Sequence, residues 1–260
     1  MLRANSAWSG VYRLGRIRAL SSPACLVVGA GDALGGAVAA RFARQGFVAC
    51  LARRNGAKLQ PLLERIQAEG GAARAFAVDA RKEEELVRMM DVIEEEVGPL
   101  EVVVFNIGAN VRFPILDTST RVFTKVWELA CLGGFLTGRE AARRMVPRGR
   151  GSIFFTGASA SLRGGNGFAA FASAKAALRI MAQSMARELG PKGIHVASVI
   201  IDGAIDTAWV AENWTQYAEM KAKGGLLEPG AVADNYWNLH CQPSNAWTQE
   251  LDLRPYCEPF

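Results

Sequence analysis

Histidine is nearly absent from this sequence: His195 and His240 are the only two in 260 residues. The five cysteines, Cys25, Cys50, Cys131, Cys241 and Cys257, are scattered, with no CxxC pair and no Cys/His cluster. That scarcity gives no metal-ligating pattern, and an odd, dispersed count fits reduced, mostly buried thiols in an intracellular compartment. Long apolar runs are missing as well. The longest, such as 100–105 and 194–201, are strand-length and fall far short of the about 20 residues a membrane-spanning helix needs. No acidic residue precedes Asp32, and Arg3, Arg13, Arg16 and Arg18 account for four units of the chain's formal net charge of +5. The rest of the chain is therefore almost neutral and gives no reason to expect a nucleic-acid partner.

The acid-free leader, residues 1–22, also carries Ser6, Ser9, Ser21 and Ser22, with Val11, Leu14, Ile17 and Leu20 between its arginines. Arginine-rich, serine-containing and amphipathic is the composition of a mitochondrial transit peptide, which points to the mitochondrial matrix. A disordered basic extension or a misassigned start codon is the alternative, and would leave the protein in the cytoplasm.

What is present is a regular alternation. Half of the residues are apolar and 21% are charged, as in a globular protein with a substantial core. Apolar runs at 24–28, 47–52, 73–78, 100–105, 151–156 and 194–201 read as strands. Helical patterns lie between them at 37–45, 57–69, 82–97, 121–145 and 168–189. The strands are continuous apolar runs, as a parallel sheet covered on both faces requires. The expected architecture is a single-domain, doubly wound parallel sheet of the Rossmann type, in three α/β/α layers over residues 23–260. Beyond Gly203 the pattern gives way to a polar, aromatic segment with Trp209, Trp214 and Tyr217, expected as a substrate lid around 208–228. A helix at 231–239 and a strand at 247–253 complete the chain.

Gly29-Ala30-Gly31-Asp32-Ala33-Leu34-Gly35 joins the first strand to the first helix. Glycines there allow a tight turn and let backbone N–H groups at a helix N-terminus approach a pyrophosphate. Such a turn alone is weak evidence; its place in a βαβ unit strengthens it. The second strand ends in Arg53-Arg54 with no carboxylate. An acidic residue there would hydrogen-bond the ribose 2′-OH of NAD, whereas two guanidiniums favour the 2′-phosphate of NADP. Asp32 works against this if its charge lies near the ribose.

Across residues 24–255 the order of motifs resembles the short-chain dehydrogenase/reductase family. The segment 28–35 is similar to the family's TGxxxGxG, with Gly29 and Gly35 matching and Ala33 at the middle glycine. Asp79, followed by Ala80, resembles the family's adenine-binding aspartate. Asn106-Ile107-Gly108 stands for Asn-Ala-Gly on the adenosine side. Asp202-Gly203-Ala204-Ile205-Asp206-Thr207 resembles the Pro-Gly-x-x-x-Thr loop that holds the nicotinamide carboxamide, with Asp202 replacing the proline. The resemblance implies an NADP(H) cofactor, with NAD(H) as the weaker alternative. It also implies a small-molecule substrate and a homodimer or homotetramer built on the two long helices.

The resemblance also shows what is missing. The family's YxxxK reads Phe171-Ala172-Ser173-Ala174-Lys175: the lysine remains and the phenol is gone. Ala158 occupies the usual serine position and Ala130 the usual asparagine position. Phenylalanine has no proton to exchange, and general acid–base assistance is worth ~10²–10⁴-fold. Replacement donors are Ser159, Ser161 and Asn166, although serines in such a loop ordinarily bond backbone. His195 reads as structural, and Arg163 as shaping the loop above the pocket or meeting an acidic substrate. Two functions stay open: an oxidoreductase acting between carbonyl and alcohol through a non-standard site, and a catalytically silenced NADP-binding scaffold.

Overall fold

The computed structural model describes residues 22–258, so the expected transit segment lies almost wholly outside the described residues. Among them, seven strands form one sheet: β1 (Ala24–Val28), β2 (Val48–Arg53), β3 (Ala72–Ala77), β4 (Leu100–Phe105), β5 (Gly151–Thr156), β6 (Ile194–Ile201) and β7 (Glu250–Leu253). Their order is β3-β2-β1-β4-β5-β6-β7, and every neighbouring pair is parallel. The helices are α1 (Leu34–Ala43), α2 (Gln60–Ala68), α3 (Glu83–Glu96), α4 (Thr120–Trp127), α5 (Gly133–Met145), α6 (Ala169–Leu189), α7 (Ala208–Asn213), α8 (Tyr217–Ala222) and α9 (Pro229–His240).

Alternation along β1 explains the uninterrupted apolar runs. Ala24, Leu26 and Val28 enter one core with Phe105, Leu136, Phe155 and Leu178, while Cys25 and Val27 enter the opposite core with Phe42, Leu62 and Tyr236. Both faces of the sheet are thus covered, giving the three-layer doubly wound fold expected from the sequence. The strand order reverses between β1 and β4, and in such sheets the crevice beyond the strand C-termini at that point is where ligands bind. His195 has the structural place expected of it. Its Nε2 lies 2.8 Å from the Thr248 carbonyl, and its ring stacks on Trp247 with centroids 4.9 Å apart.

Three elements differ from expectation. The long helix over 121–145 is interrupted by a π-helical turn at Glu128–Leu132, between α4 and α5. One extra residue advances the apolar stripe by ~100°. α4 therefore turns Val126 into a small third cluster, while α5 turns Leu136, Ala141 and Met145 into the main core. Both halves still repeat at helical period, so apolar spacing alone conceals the insertion. The 208–228 segment contains α7 and α8, whose six residues each are too few for a periodic signal. Thr207 starts α7 by accepting the Val210 N–H at 3.1 Å. The last strand is shorter than 247–253, because Trp247 is turned onto His195.

The turn into α1 sets a close steric limit on the sequence. A Cβ on Gly35 would stand 2.6 Å from the Gly29 carbonyl oxygen and 2.9 Å from Asn106 Nδ2. On Gly31 it would meet nothing closer than Arg53 Nη1 at 3.9 Å. Gly35→Ala is therefore expected to lose about 1–3 kcal/mol of stability and to lower Tm by roughly 2–4 °C per kcal/mol. Gly31→Ala is expected to stay within about 0.5 kcal/mol of the wild type. Equal thermal shifts for the two variants would contradict this steric account.

Candidate active site

The chain must reverse direction after β1, and Gly29 does so at φ +94, where a Cβ would stand 2.8 Å from the Asn106 carbonyl carbon and oxygen. Asn106 braces the turn from the end of β4. Its backbone N–H donates to Val28 O at 2.8 Å, and its Nδ2 donates to Gly29 O at 3.2 Å. Beside this brace, over the C-terminal ends of β1 to β4, opens a cavity of about 890 Å³. It is lined by residues 28–31, 52–56, Lys58, 78–80, 106–108 and Leu129.

The sequence-derived residues divide clearly. Gly29, Gly31, Arg53, Arg54, Asp79, Ala80, Asn106 and Gly108 line this cavity. Leu34 is buried in the core beneath it, and Gly35 packs against the Gly29 carbonyl. Asp32 lines a separate groove of about 560 Å³, with Arg41, Arg44 and Asp234, and is not among the residues lining the cavity of Arg53 and Arg54. Lys58 was missed. The signal was available in Arg53-Arg54-Asn55-Gly56-Ala57-Lys58, where a turn at Gly56, packed on Ala77, carries the lysine back to the cavity.

One carboxylate in the cavity is already neutralised. Arg81 Nη2 and Nε reach the Asp79 carboxylate at 2.5 and 2.9 Å, and the Arg81 backbone N–H adds a bond at 3.1 Å. The Arg81 guanidinium thereby holds the Asp79 carboxyl below the usual carboxylate range. Arg53, Arg54 and Lys58 then dominate the charge at the outer rim.

Lys175 lies outside the cavity lining, deeper in the fold. Its buried Nζ donates to Thr156 O at 2.8 Å and to Ile107 O at 3.1 Å, which ties α6 to the ends of β5 and β4. Burial pushes its pKa down to about 8. One helical turn earlier, Phe171 is buried in the third cluster with Val126, Ala130, Ala170 and Ala174, against partly buried Ala158 and Phe168. The structure thus gathers Phe171, Ala158 and Ala130 into one apolar patch. Ser161 is committed within it, accepting the Ala158 N–H at 3.1 Å, while Ser159 is half-buried and Asn166 is exposed. Ser173 turns away and donates to Ala170 O at 3.1 Å.

Gly203, Ile205 and Thr207 follow β6 at the same end of the sheet but do not line the cavity. Ile205 forms a bridge with Leu227, and Thr207 caps α7. Arg163 is not left to meet an acidic substrate: it makes a forked pair with Asp202, Nη2 to Oδ1 at 2.9 Å and Nη1 to Oδ2 at 3.1 Å. In the 208–228 segment Trp209 is largely exposed, and the Tyr217 hydroxyl donates to Asp206 at 2.8 Å. Among the described residues no group of three or more metal-ligating side chains occurs, and no helix is long and apolar enough to cross a membrane.

The profile of the short chain dehydrogenase family matches residues 23–218. A short-chain dehydrogenase/reductase of Armillaria gallica is 33% identical over 174 residues, covering 66% of this chain and 67% of the relative. Gluconate 5-dehydrogenase of Gluconobacter oxydans (strain 621H) is 28% identical over 177 residues, covering 68% and 69%. Among solved structures, a short-chain dehydrogenase from Rhodopseudomonas palustris is 51% identical, covers 90% of this chain and 99% of its own, and superposes with a TM-score of 0.78. The 7α-hydroxysteroid dehydrogenase solved with NADH and 7-oxo glycochenodeoxycholic acid is 27% identical, with a TM-score of 0.81 over 91% and 94% of the two chains.

The buried lysine has a signature in stability. Because its folded-state pKa is depressed to about 8, the folded protein releases a proton that the unfolded chain retains up to the ordinary lysine range. The unfolding free energy of the wild type minus that of Lys175→Met is therefore expected to rise with pH between 8 and 10, by up to ~1.4 kcal/mol per pH unit. Urea titrations of both proteins at several pH values measure it, and a flat or falling difference would contradict the burial of the ammonium.

Proposed function

The chain belongs to the short-chain dehydrogenase family, and on that footing we propose that it is an NADP(H)-dependent oxidoreductase acting between a carbonyl and an alcohol through a non-standard site. The observation that carries the choice of cofactor is the rim formed by Arg53, Arg54 and Lys58 at the end of β2. No carboxylate sits there, Asp32 lies in another groove, and Asp79 is neutralised by Arg81. A ribose 2′-phosphate fits such a rim, and guanidiniums suit it geometrically.

In this reading the backbone of residues 29–31, at the approach to α1, holds the diphosphate. Asp79 and Asn106 flank the adenosine. Lys175 serves the nicotinamide ribose, and the 203–207 loop serves the carboxamide. When bound, the nicotinamide supplies or accepts the hydride. The chain contributes position and an apolar wall: Phe171, Ala158 and Ala130 keep water from the reacting carbon but donate no proton. The alkoxide oxygen then takes its proton from water or from a hydroxyl such as Ser159, at a cost of ~10²–10⁴ in rate.

The same apolar cluster supports a second reading, a catalytically silenced protein in which bound NADP(H) serves a structural role. We further propose that residues 1–22 target the protein to the mitochondrial matrix. A homodimer or homotetramer would cover the exposed Phe135 of α5 and Ile180 of α6.

Fluorescence titration of the purified protein with NADPH and NADH tests the cofactor. NADPH is expected to bind on the order of 10–100-fold more tightly, and the double variant Arg53→Ala/Arg54→Ala to lose that margin while NADH binding holds. Equal affinity for the two nucleotides in the wild type would contradict the assignment. A carbonyl panel separates the two readings: slow turnover that Phe171→Tyr accelerates ~10²-fold or more supports the enzyme. Turnover seen only in Phe171→Tyr supports the silenced protein.

A further inference from the structure

A proline, as the resembling motif carries after β6, could make neither of the contacts that Asp202 makes. Its backbone N–H donates to Leu253 O at 2.8 Å, extending the pairing of β6 with β7 by one residue. Its carboxylate is 1% exposed and is gripped from two directions. Arg163, on the loop after β5, forks onto it at 2.9 and 3.1 Å, and Arg254, just past β7, reaches Oδ2 at 3.0 Å. Arg254 also holds Asp252 at 2.5 Å, so it is anchored independently.

The neighbours of Asp202 complete the restraint. Gly203 sits at φ +153 beneath Pro255, whose Cδ would be 2.7 Å from a Cβ at that position. Leu227 N–H donates to Ala204 O and Asp206 N–H donates to Leu227 O, both at 2.8 Å. The 203–207 loop is therefore tied along its length to Leu227 and at its root to Asp202. Asp206 adds an ion pair with Lys221 of α8 at 3.2 Å, and at the root three separate segments meet on one buried carboxylate.

A buried carboxylate is costly unless it is fully paired, and two guanidiniums meet that need here. The gain lies in geometry: fixing one carboxylate fixes the loop after β5, the start of the 203–207 loop and the C-terminal segment relative to one another. We propose that Asp202 is a positioning residue whose pairs with Arg163 and Arg254 hold the 203–207 loop in the conformation that receives the nicotinamide end of the cofactor. The proposal rests on the NADP(H) reading above. Asp202 acts through the loop and touches no reacting atom.

The test uses the full chain with Arg163→Ala, Arg163→Lys and Asp202→Asn. Arg163 is half-exposed on a loop, so its variants leave the core intact. Amide hydrogen exchange of the 203–207 peptide reads the loop without any nucleotide. Binding of NADPH and of adenosine 2′,5′-bisphosphate reads the two ends of the site separately, since the bisphosphate lacks the nicotinamide half. Arg163→Ala and Asp202→Asn are expected to speed exchange across 203–207 and to weaken NADPH on the order of tenfold, with bisphosphate binding held within about twofold. Arg163→Lys, which keeps the charge but not the fork, is expected to fall between wild type and Arg163→Ala. Unchanged exchange would overturn the clasp. Faster exchange with NADPH affinity unaltered, or equal losses for both ligands, would overturn its role toward the nicotinamide end. A wild type that binds neither ligand would instead overturn the cofactor reading itself, and this proposal with it.

Discussion

The ammonium of Lys175 sits where α6, the end of β5 and the loop after β4 converge, and much of the site's geometry follows from burying it. A buried cation is costly without partners. Here the partners are two backbone carbonyls, Thr156 O and Ile107 O, which exist as free acceptors only because both strands end at that level. Close approach of α6 to the sheet is a condition of those bonds, and small residues provide it. A Cβ on Gly134 of α5 would stand 2.4 Å from Leu178 Cδ1 of α6, and Ala174 and Ala182 of α6 are wholly buried. Depression of the lysine's pKa to about 8 is the electrostatic record of the same burial.

On one side of this lysine lies a cationic cavity, on the other an apolar cluster. The cavity collects backbone N–H groups near a helix start and three cations at its rim, an arrangement suited to a phosphorylated nucleotide. The cluster collects Phe171, Ala130 and Ala158, where the family resemblance calls for a phenol, an amide and a hydroxyl. In the proposed reading, affinity and orientation are retained while proton transfer is given up. Polar side chains at this end of the sheet lie outside that cluster. Asp202, Arg163 and Arg254 form a network at the root of the 203–207 loop.

The sheet was legible because its central strands are predominantly apolar runs bounded by glycine or charge, and the cofactor-side cavity because its residues follow strand ends in order. Arg53 and Arg54 were legible for the same reason. The π-turn at Glu128–Leu132 was hidden, since it shifts the phase of the apolar stripe without breaking its period. α7 and α8 were too short to register. The Arg254–Asp202 and Arg81–Asp79 pairs could not be read, because no local pattern selects which carboxylate a given arginine meets in space. Asp32, adjacent in sequence to the glycine turn, lines the groove beside α1 and α9.

The most direct test of the account is a crystal structure of the full chain with NADP(H). The 2′-phosphate is expected against Arg53 and Arg54, with Lys175 Nζ within hydrogen-bonding distance of a nicotinamide ribose oxygen. A nucleotide seated in the groove beside Asp32, or one in the cavity whose ribose makes no contact with Lys175, would contradict it.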